Sequence, residues 1–221
     1  MPMRPDDLEV RPLHPLPIRI MHWLVVPVLI LMAASGLQIY AAYPAQGPRG
    51  AQYRWFPLQG ITPPAWLRFG GWLAGARHWH FALAWYLILI GVVYVGYLIA
   101  RGEWRRRMFL PHRDFSNAIG MFLYYLRIRK APPPMEFYNG LQRLAYTCAI
   151  LFGIVIVWSG LAIYKPVQLR FLSVPLGGYD GARFIHFAML WLLVGFAMTH
   201  IVLVALHPRE LRNMITGGHD E

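Results

Sequence analysis

The sequence predicts an all-α integral membrane protein: a four-helix bundle with short interfacial helices and both termini in the cytoplasm. Apolar residues make up 57 % of the 221-residue chain and charged residues 14 %, against about 25 % charged in an average soluble domain. A soluble body of this size cannot hide so much apolar surface from water. All 21 Lys and Arg and all 10 Asp and Glu fall outside four stretches, residues 22–42, 79–99, 144–164 and 184–206. Each holds about 20 residues or slightly more, enough at about 1.5 Å per residue to cross a hydrocarbon layer of about 30 Å. The whole chain, 1–221, reads as a single membrane domain.

Basic residues set the expected orientation. The N-terminal segment with Arg4, Arg11 and Arg19, the connection 101–130, Arg143, and the tail with Arg209 and Arg212 place 14 basic residues on one side, against seven on the other. The richer side faces the cytoplasm. The net charge of +11 is therefore read as topology signal and lipid-headgroup contact, not as nucleic-acid binding. The first 20 residues hold no apolar core and no small-residue cleavage site, so no signal peptide is expected. Twelve Phe, 12 Tyr and 9 Trp exclude a disordered chain. The single cysteine, Cys148, excludes a disulfide framework, a four-cysteine iron–sulfur cluster, a zinc ribbon and a C-x-x-C-H haem attachment.

Two connections carry patterns of their own. Residues 63–78 open with Pro63–Pro64 and hold Trp66, Leu67, Phe69, Trp72 and Leu73, which suits a short helix at the outer interface. Residues 115–128 suit one at the inner interface, stopping at the Arg127–Lys130 cluster and Pro132–Pro134. Plain amphipathic surface helices account for both equally well. No internal repeat stands out, and the spacing of the spans gives a pair of helical hairpins.

Histidines are the informative polar residues, because an ionisable group at membrane depth needs a partner or a function. His186 and His200 lie 14 residues apart on the fourth stretch. That separation is about 40° short of four full turns, so both imidazoles leave nearly the same face, about 21 Å apart along the axis. One metal cannot bind both; two stacked cofactors can. The first stretch begins RIMHW, which puts His22 level with His200 at the inner side, and the second begins RHWHF, which puts His80 or His78 level with His186 at the outer side. Two bis-histidine haems follow as the expectation: His22 with His200 inside, His80 with His186 outside. Ligation of that kind fills both axial positions and leaves iron to transfer electrons. Gly36, Gly91, Gly153 and Gly160 offer gaps for a flat macrocycle, a pattern that close helix packing also produces. Arg19 and Arg183 precede His22 and His186 by one turn, where they suit haem propionates or lipid phosphate. His14, His112, His207 and His219 lie in polar or proline-containing surroundings and are expected to be solvated.

The segments HPLPIRIMHW, RHWHF, FYNGLQRLAY, the His186/His200 pair and the closing HPRELRNMITGG together resemble the bacterial dihaem b-type cytochrome subunits of hydrogenases, formate dehydrogenases and thiosulfate reductase, related to prokaryotic cytochrome b561. The resemblance covers about residues 12–218, with the thiosulfate-reductase branch nearest. It implies non-covalent b-type haems, residence in the bacterial inner membrane, and electron transfer between the quinone pool and a periplasmic catalytic partner carrying molybdopterin, iron–sulfur or nickel–iron centres. It also implies a quinone site beside His200, with Asn139 and Gln142 near a quinone carbonyl; capping of the following helix is the plainer role for both. The long aromatic outer connection, 43–79, offers a place for a partner to dock. A freestanding superoxide:quinone oxidoreductase of the b561 type is the alternative. A transporter or assembly factor is disfavoured, since the spans lack further polar groups to form a pathway. The chain holds no nucleophile with a base beside it, so substrate chemistry is expected in another subunit.

Overall fold

Proline starts the first helix. Pro15 precedes it, and Pro17 falls in its first turn, where a missing N–H costs nothing. The computed structural model describes residues 13–134 and 138–218; Arg4, Arg11, Phe137 and His219, on which parts of the expectation rest, lie outside these. The order is α1 (Leu16–Ala42), α2 (Leu73–Ala100), α3 (Trp104–Arg107), α4 (Pro111–Tyr125), α5 (Gly140–Tyr164), α6 (Arg170–Ser173), α7 (Gly178–Leu206) and α8 (Pro208–Thr216). No strand occurs among the described residues.

Helices α1, α2, α5 and α7 are long and apolar enough to cross a membrane. Their outer faces confirm lipid as the matching solvent: Ile30 is 63 % exposed, Val92 65 %, Leu151 52 % and Ile201 60 %. Each helix ends within a residue of its expected boundary but begins four to six residues earlier. The charge-free rule trimmed those first turns, which carry Arg19, Arg77, Arg143, Asp180 and Arg183. A second correction concerns residues 63–78. In place of a separate helix there is one 3-10 turn, Ala65–Leu67, and residues from Leu73 onward already belong to α2. Gly70 and Gly71 adopt φ values of 101° and 72°, a left-handed step that interrupts any continuous helix there. At the end of the bundle where α1 begins and α7 finishes, termed the inner end after the expected orientation, α4 covers most of the expected 115–128 segment, displaced four residues toward the N-terminus at its start.

Packing divides the bundle into two hairpins, α1 on α2 and α5 on α7. Superposing their sequences reveals an internal repeat that the spacing of the spans had not disclosed. SGLQIY at 35–40 in α1 matches SGLAIY at 159–164 in α5, and GARHWHFALAWYL at 75–87 in α2 matches GARFIHFAMLWLL at 181–193 in α7. The repeat extends into packing: Ser35 and Ser159, like Ala76 and Ala182, are fully buried.

At the inner end a charged cluster ties the connections to the bundle. Arg107 donates to Glu103 at 2.8 Å, to the Tyr138 hydroxyl at 3.2 Å and to the Leu13 carbonyl at 2.9 Å. Asp114, at the start of α4, accepts from Arg113, from Arg143 of α5 at 2.8 Å and from the Leu110 N–H at 2.8 Å. Burial alone would raise the Asp114 carboxyl, but hydrogen bonds from Arg113, Leu110 and Arg143 overcome it and hold the group at about 2. His14 is not solvated as expected: it is 6 % exposed. Burial, followed by the charge of Arg107 and by His22 and Arg19, holds it down to about 4.

Candidate functional site

The four histidines singled out by spacing meet in two pairs. His80 of α2 and His186 of α7 stand with ring centroids 6.1 Å apart, and His22 of α1 and His200 of α7 with centroids 6.2 Å apart. Fourteen residues of α7 separate the pairs by about 21 Å. His78 is exposed and takes no part in the outer pair.

Hydrogen bonds fix how the outer imidazoles are presented. Nδ1 of His186 lies 2.9 Å from the Ile156 carbonyl, which can only accept, so Nδ1 carries the proton. Ser159 Oγ is 3.1 Å from the same nitrogen, with its own proton directed to the Val155 carbonyl at 2.7 Å. The other hairpin repeats the device. Ser35 Oγ donates to the Leu31 carbonyl at 2.7 Å and lies 3.0 Å from Nδ1 of His80, which therefore donates to it. Both rings are left with an unprotonated Nε2, the tautomer a metal ligand requires. Glycine makes room beside each ring. A Cβ on Gly36 would sit 3.4 Å from Cε1 of His80, and one on Gly160 3.1 Å from Cε1 of His186. At Gly91 and Gly153 a Cβ would meet nothing within 4 Å, so these two line open space and not a ring.

The inner pair is held by rings instead. Trp23 meets His22 edge-on at 5.2 Å, and Phe196 stacks on His200 at 5.9 Å. Nδ1 of His22 is buried with no hydrogen-bond partner among the described residues, an orphan that calls for a ligand or water to complete it.

Both pairs fit a bis-histidine metal. Metal–nitrogen bonds of about 2 Å on each side, with roughly 1 Å from each nitrogen to its ring centre, span about 6 Å. Among the described residues no group of three or more His, Cys, Asp or Glu is placed to hold a metal ion. Two imidazoles alone leave most of a metal's coordination unfilled, which is the situation a haem macrocycle completes.

The remaining candidates are engaged elsewhere. Arg19 donates to the carbonyls of Met214 and Ile215 and so caps α8. Arg183 pairs with Asp180 at 3.6 Å and donates to the Ala45 carbonyl at 3.1 Å. Asn139 and Gln142 form a reciprocal capping box at the start of α5, with Asn139 Oδ1 accepting from Gln142 N at 2.9 Å and Gln142 Oε1 from Asn139 N at 3.1 Å. Their side-chain oxygens are committed to the helix end, so a ligand would meet their amide nitrogens. Ser35, Ser159 and Arg68 join the site only in the structure. The two serines were legible in the repeated Ser-Gly dipeptide. Arg68 carries a buried Nε with no partner among the described residues. Its neighbour Phe69 donates to the Ala34 carbonyl at 3.1 Å, beside the Ser35–Gly36 cradle.

Comparison with known proteins shows the family of the chain. The family model described as prokaryotic cytochrome b561 matches residues 13–217. The "Putative protein-methionine-sulfoxide reductase subunit YedZ1" of Azospira oryzae is 38 % identical over 210 residues, covering 95 % of this chain and 98 % of that protein. No solved structure matches. The chain belongs to the prokaryotic cytochrome b561 family: it is a multi-pass membrane haem protein of electron transport.

Proposed function

We propose that the chain is a dihaem electron-transfer subunit, carrying electrons from quinol on the cytoplasmic side to a catalytic partner on the periplasmic side of a bacterial inner membrane. The observation that carries this is the pair of bis-imidazole sites, 6.1 and 6.2 Å between ring centroids, that share α7. When bound at each site, a b-type haem supplies a one-electron couple. His80 and His186 hold the outer one, with Ser35, Ser159 and the Ile156 carbonyl fixing their tautomers; His22 and His200 hold the inner one. Arg19 on the inner side and Arg183 on the outer side are the propionate candidates, joined by Arg68 through its partnerless Nε. The amide nitrogens of Asn139 and Gln142 lie at the inner end of α5, where a quinone oxygen would accept from them. The basic excess on one side supports cytoplasmic termini.

The relative's name supplies a partner and a direction. If this chain likewise serves a protein-methionine-sulfoxide reductase, electrons run outward. Quinol oxidation releases two electrons and two protons, and reduction of a sulfoxide to a thioether and water consumes two of each. This replaces the broader expectation of a hydrogenase, formate dehydrogenase or thiosulfate reductase partner.

The test uses the purified full chain in liposomes. Added quinol is expected to reduce the haem, and a periplasmic reductase with its sulfoxide substrate to reoxidise it. Haem that stays oxidised with quinol contradicts the reading. Reduction of the isolated chain by superoxide favours the freestanding oxidoreductase instead.

A further inference from the structure

The internal repeat makes the two histidine pairs unequal. His80 and His186 occupy the same position in GARxxHFAxxWxL, so each is the other's counterpart and the outer pair joins equivalent points of the two hairpins. The inner pair does not. Carrying the α1–α5 alignment back from SGLxIY places Arg143 against Arg19 and Tyr146 against His22. Carrying the α2–α7 alignment forward places Tyr94 against His200. The fold therefore contains the inner site twice, once with two imidazoles on α1 and α7, and once with two phenols on α2 and α5.

Depth confirms the correspondence. His22 and Tyr146 each stand six residues after the first residue of their helix, and Tyr94 and His200 six residues before the last of theirs. All four lie about 9 Å in from the inner helix ends, as one aromatic layer. Within that layer Tyr146 meets His200 edge-on, with ring centroids 6.5 Å apart. Tyr94 and Tyr146 lie within electrostatic range of each other and of Arg107, Tyr94 also of Glu103 and Tyr146 of Glu210. Neither hydroxyl has a hydrogen-bond partner among the described residues. Two unpartnered hydroxyls at the same membrane depth are costly unless something polar completes them.

We propose that the space between Tyr94 and Tyr146 binds the quinone headgroup, each phenol donating a hydrogen bond to a ring oxygen, the hydroxyl oxygen of the quinol or the carbonyl of the quinone. A flat ring with an oxygen at each end suits a slot whose counterpart holds a flat macrocycle between two side chains. A neutral phenol is a hydrogen-bond donor, which a quinone oxygen needs and a metal does not. Contact between Tyr146 and His200 puts the slot directly against an inner haem ligand. Tyr138, the repeat counterpart of His14, packs on Tyr146 at 5.3 Å and accepts from Arg107, giving the slot a polar exit toward the inner surface. This assignment rests on the quinol reading above but moves the headgroup from the capping box to the tyrosines.

The test is quinol titration of the haem-loaded full chain, as wild type, Tyr94→Phe, Tyr146→Phe and the double variant. Each lost hydroxyl is expected to raise the half-saturating quinol concentration by about tenfold, the loss of one hydrogen bond, with haem content and midpoint potentials unchanged. Unchanged half-saturation in the double variant overturns the assignment, as does a shift in the inner midpoint potential without any change in half-saturation. A wild type that quinol does not reduce removes the quinol reading itself, and this assignment with it. Should the double variant lose haem, photolabelling of the wild type with an azidoquinone decides. Label on the peptides bearing Tyr94 or Tyr146 supports the slot; label confined to other segments overturns it.

Discussion

Ser35 Oγ and His80 Nδ1 lie 3.0 Å apart across the α1–α2 contact, with the serine proton already given to the Leu31 carbonyl. The serine is therefore an acceptor, and it holds the imidazole in the tautomer whose Nε2 is unprotonated. Losing such a support typically costs about 10–100-fold in metal-site affinity. Ser35→Ala is expected to weaken haem retention at the outer site by up to that order and to raise its midpoint potential, because an imidazole that donates more weakly from Nδ1 is a poorer electron donor to ferric iron. Ser159→Ala should cost somewhat less: a backbone carbonyl stands beside each imidazole, Met32 at His80 and Ile156 at His186, but only the Ile156 carbonyl is well aligned on Nδ1, at 2.9 Å. Haem titration with redox potentiometry checks the order of the two.

Gly160 tests the cradle. A Cβ there would stand 3.1 Å from His186 Cε1, tighter than the 3.4 Å at the corresponding Gly36 and His80. Gly160→Ala is therefore expected to displace its histidine and broaden or lose the outer-site absorption, while Gly36→Ala leaves the spectrum close to wild type. Visible spectra of the two purified variants measure this.

Asp114 joins α4 to α5 through Arg143, and both side chains are 4 % exposed. Breaking a buried pair by removing one partner costs about 3–5 kcal/mol, so Asp114→Ala should lower the unfolding temperature in detergent while leaving the outer-site spectrum intact. The carboxyl is held at about 2, below its ordinary 3.8. Its contribution is thus complete above 3.8 and is lost as pH falls toward 2. Thermal unfolding followed down the acid range is expected to show that loss in wild type and not in the variant.

His14 gives a second pH window. Its native value of about 4 lies below the ordinary 6.5, so the unfolded chain binds a proton first as pH falls. The stability it contributes is present above 6.5 and is lost between 6.5 and 4. His14→Gln should flatten the unfolding temperature across that window, where the wild type declines.

The spans and the histidine pairs were legible because lipid imposes simple rules. A stretch without charge must be long enough to cross, and a histidine within it must be accounted for, so His22 could be matched to His200 by depth, and His186 to His80 or His78. What stayed hidden depends on the other side of a contact. Nothing in the α1 sequence says that Ser35 will meet an imidazole of α2. The Asn139–Gln142 box reads equally as ligand or cap until the two amides are seen facing each other's backbone. The first turns of the helices were lost because Arg19, Arg77 and Arg183 look like loop residues to a rule that forbids charge, whereas long side chains reach the interface from inside a helix. The duplication was visible in principle. SGLQIY and SGLAIY lie far apart in the chain, and the helices carrying them differ most in the inner half, where histidine faces tyrosine.

The most direct measurement is the haem-to-protein ratio of the purified chain, compared with His80→Ala, His186→Ala, His22→Ala and His200→Ala. Two haems per wild-type chain, with low-spin reduced and oxidised spectra and one haem lost in each variant, is the predicted result. One haem in the wild type, or a variant that keeps both, would contradict the two-site account.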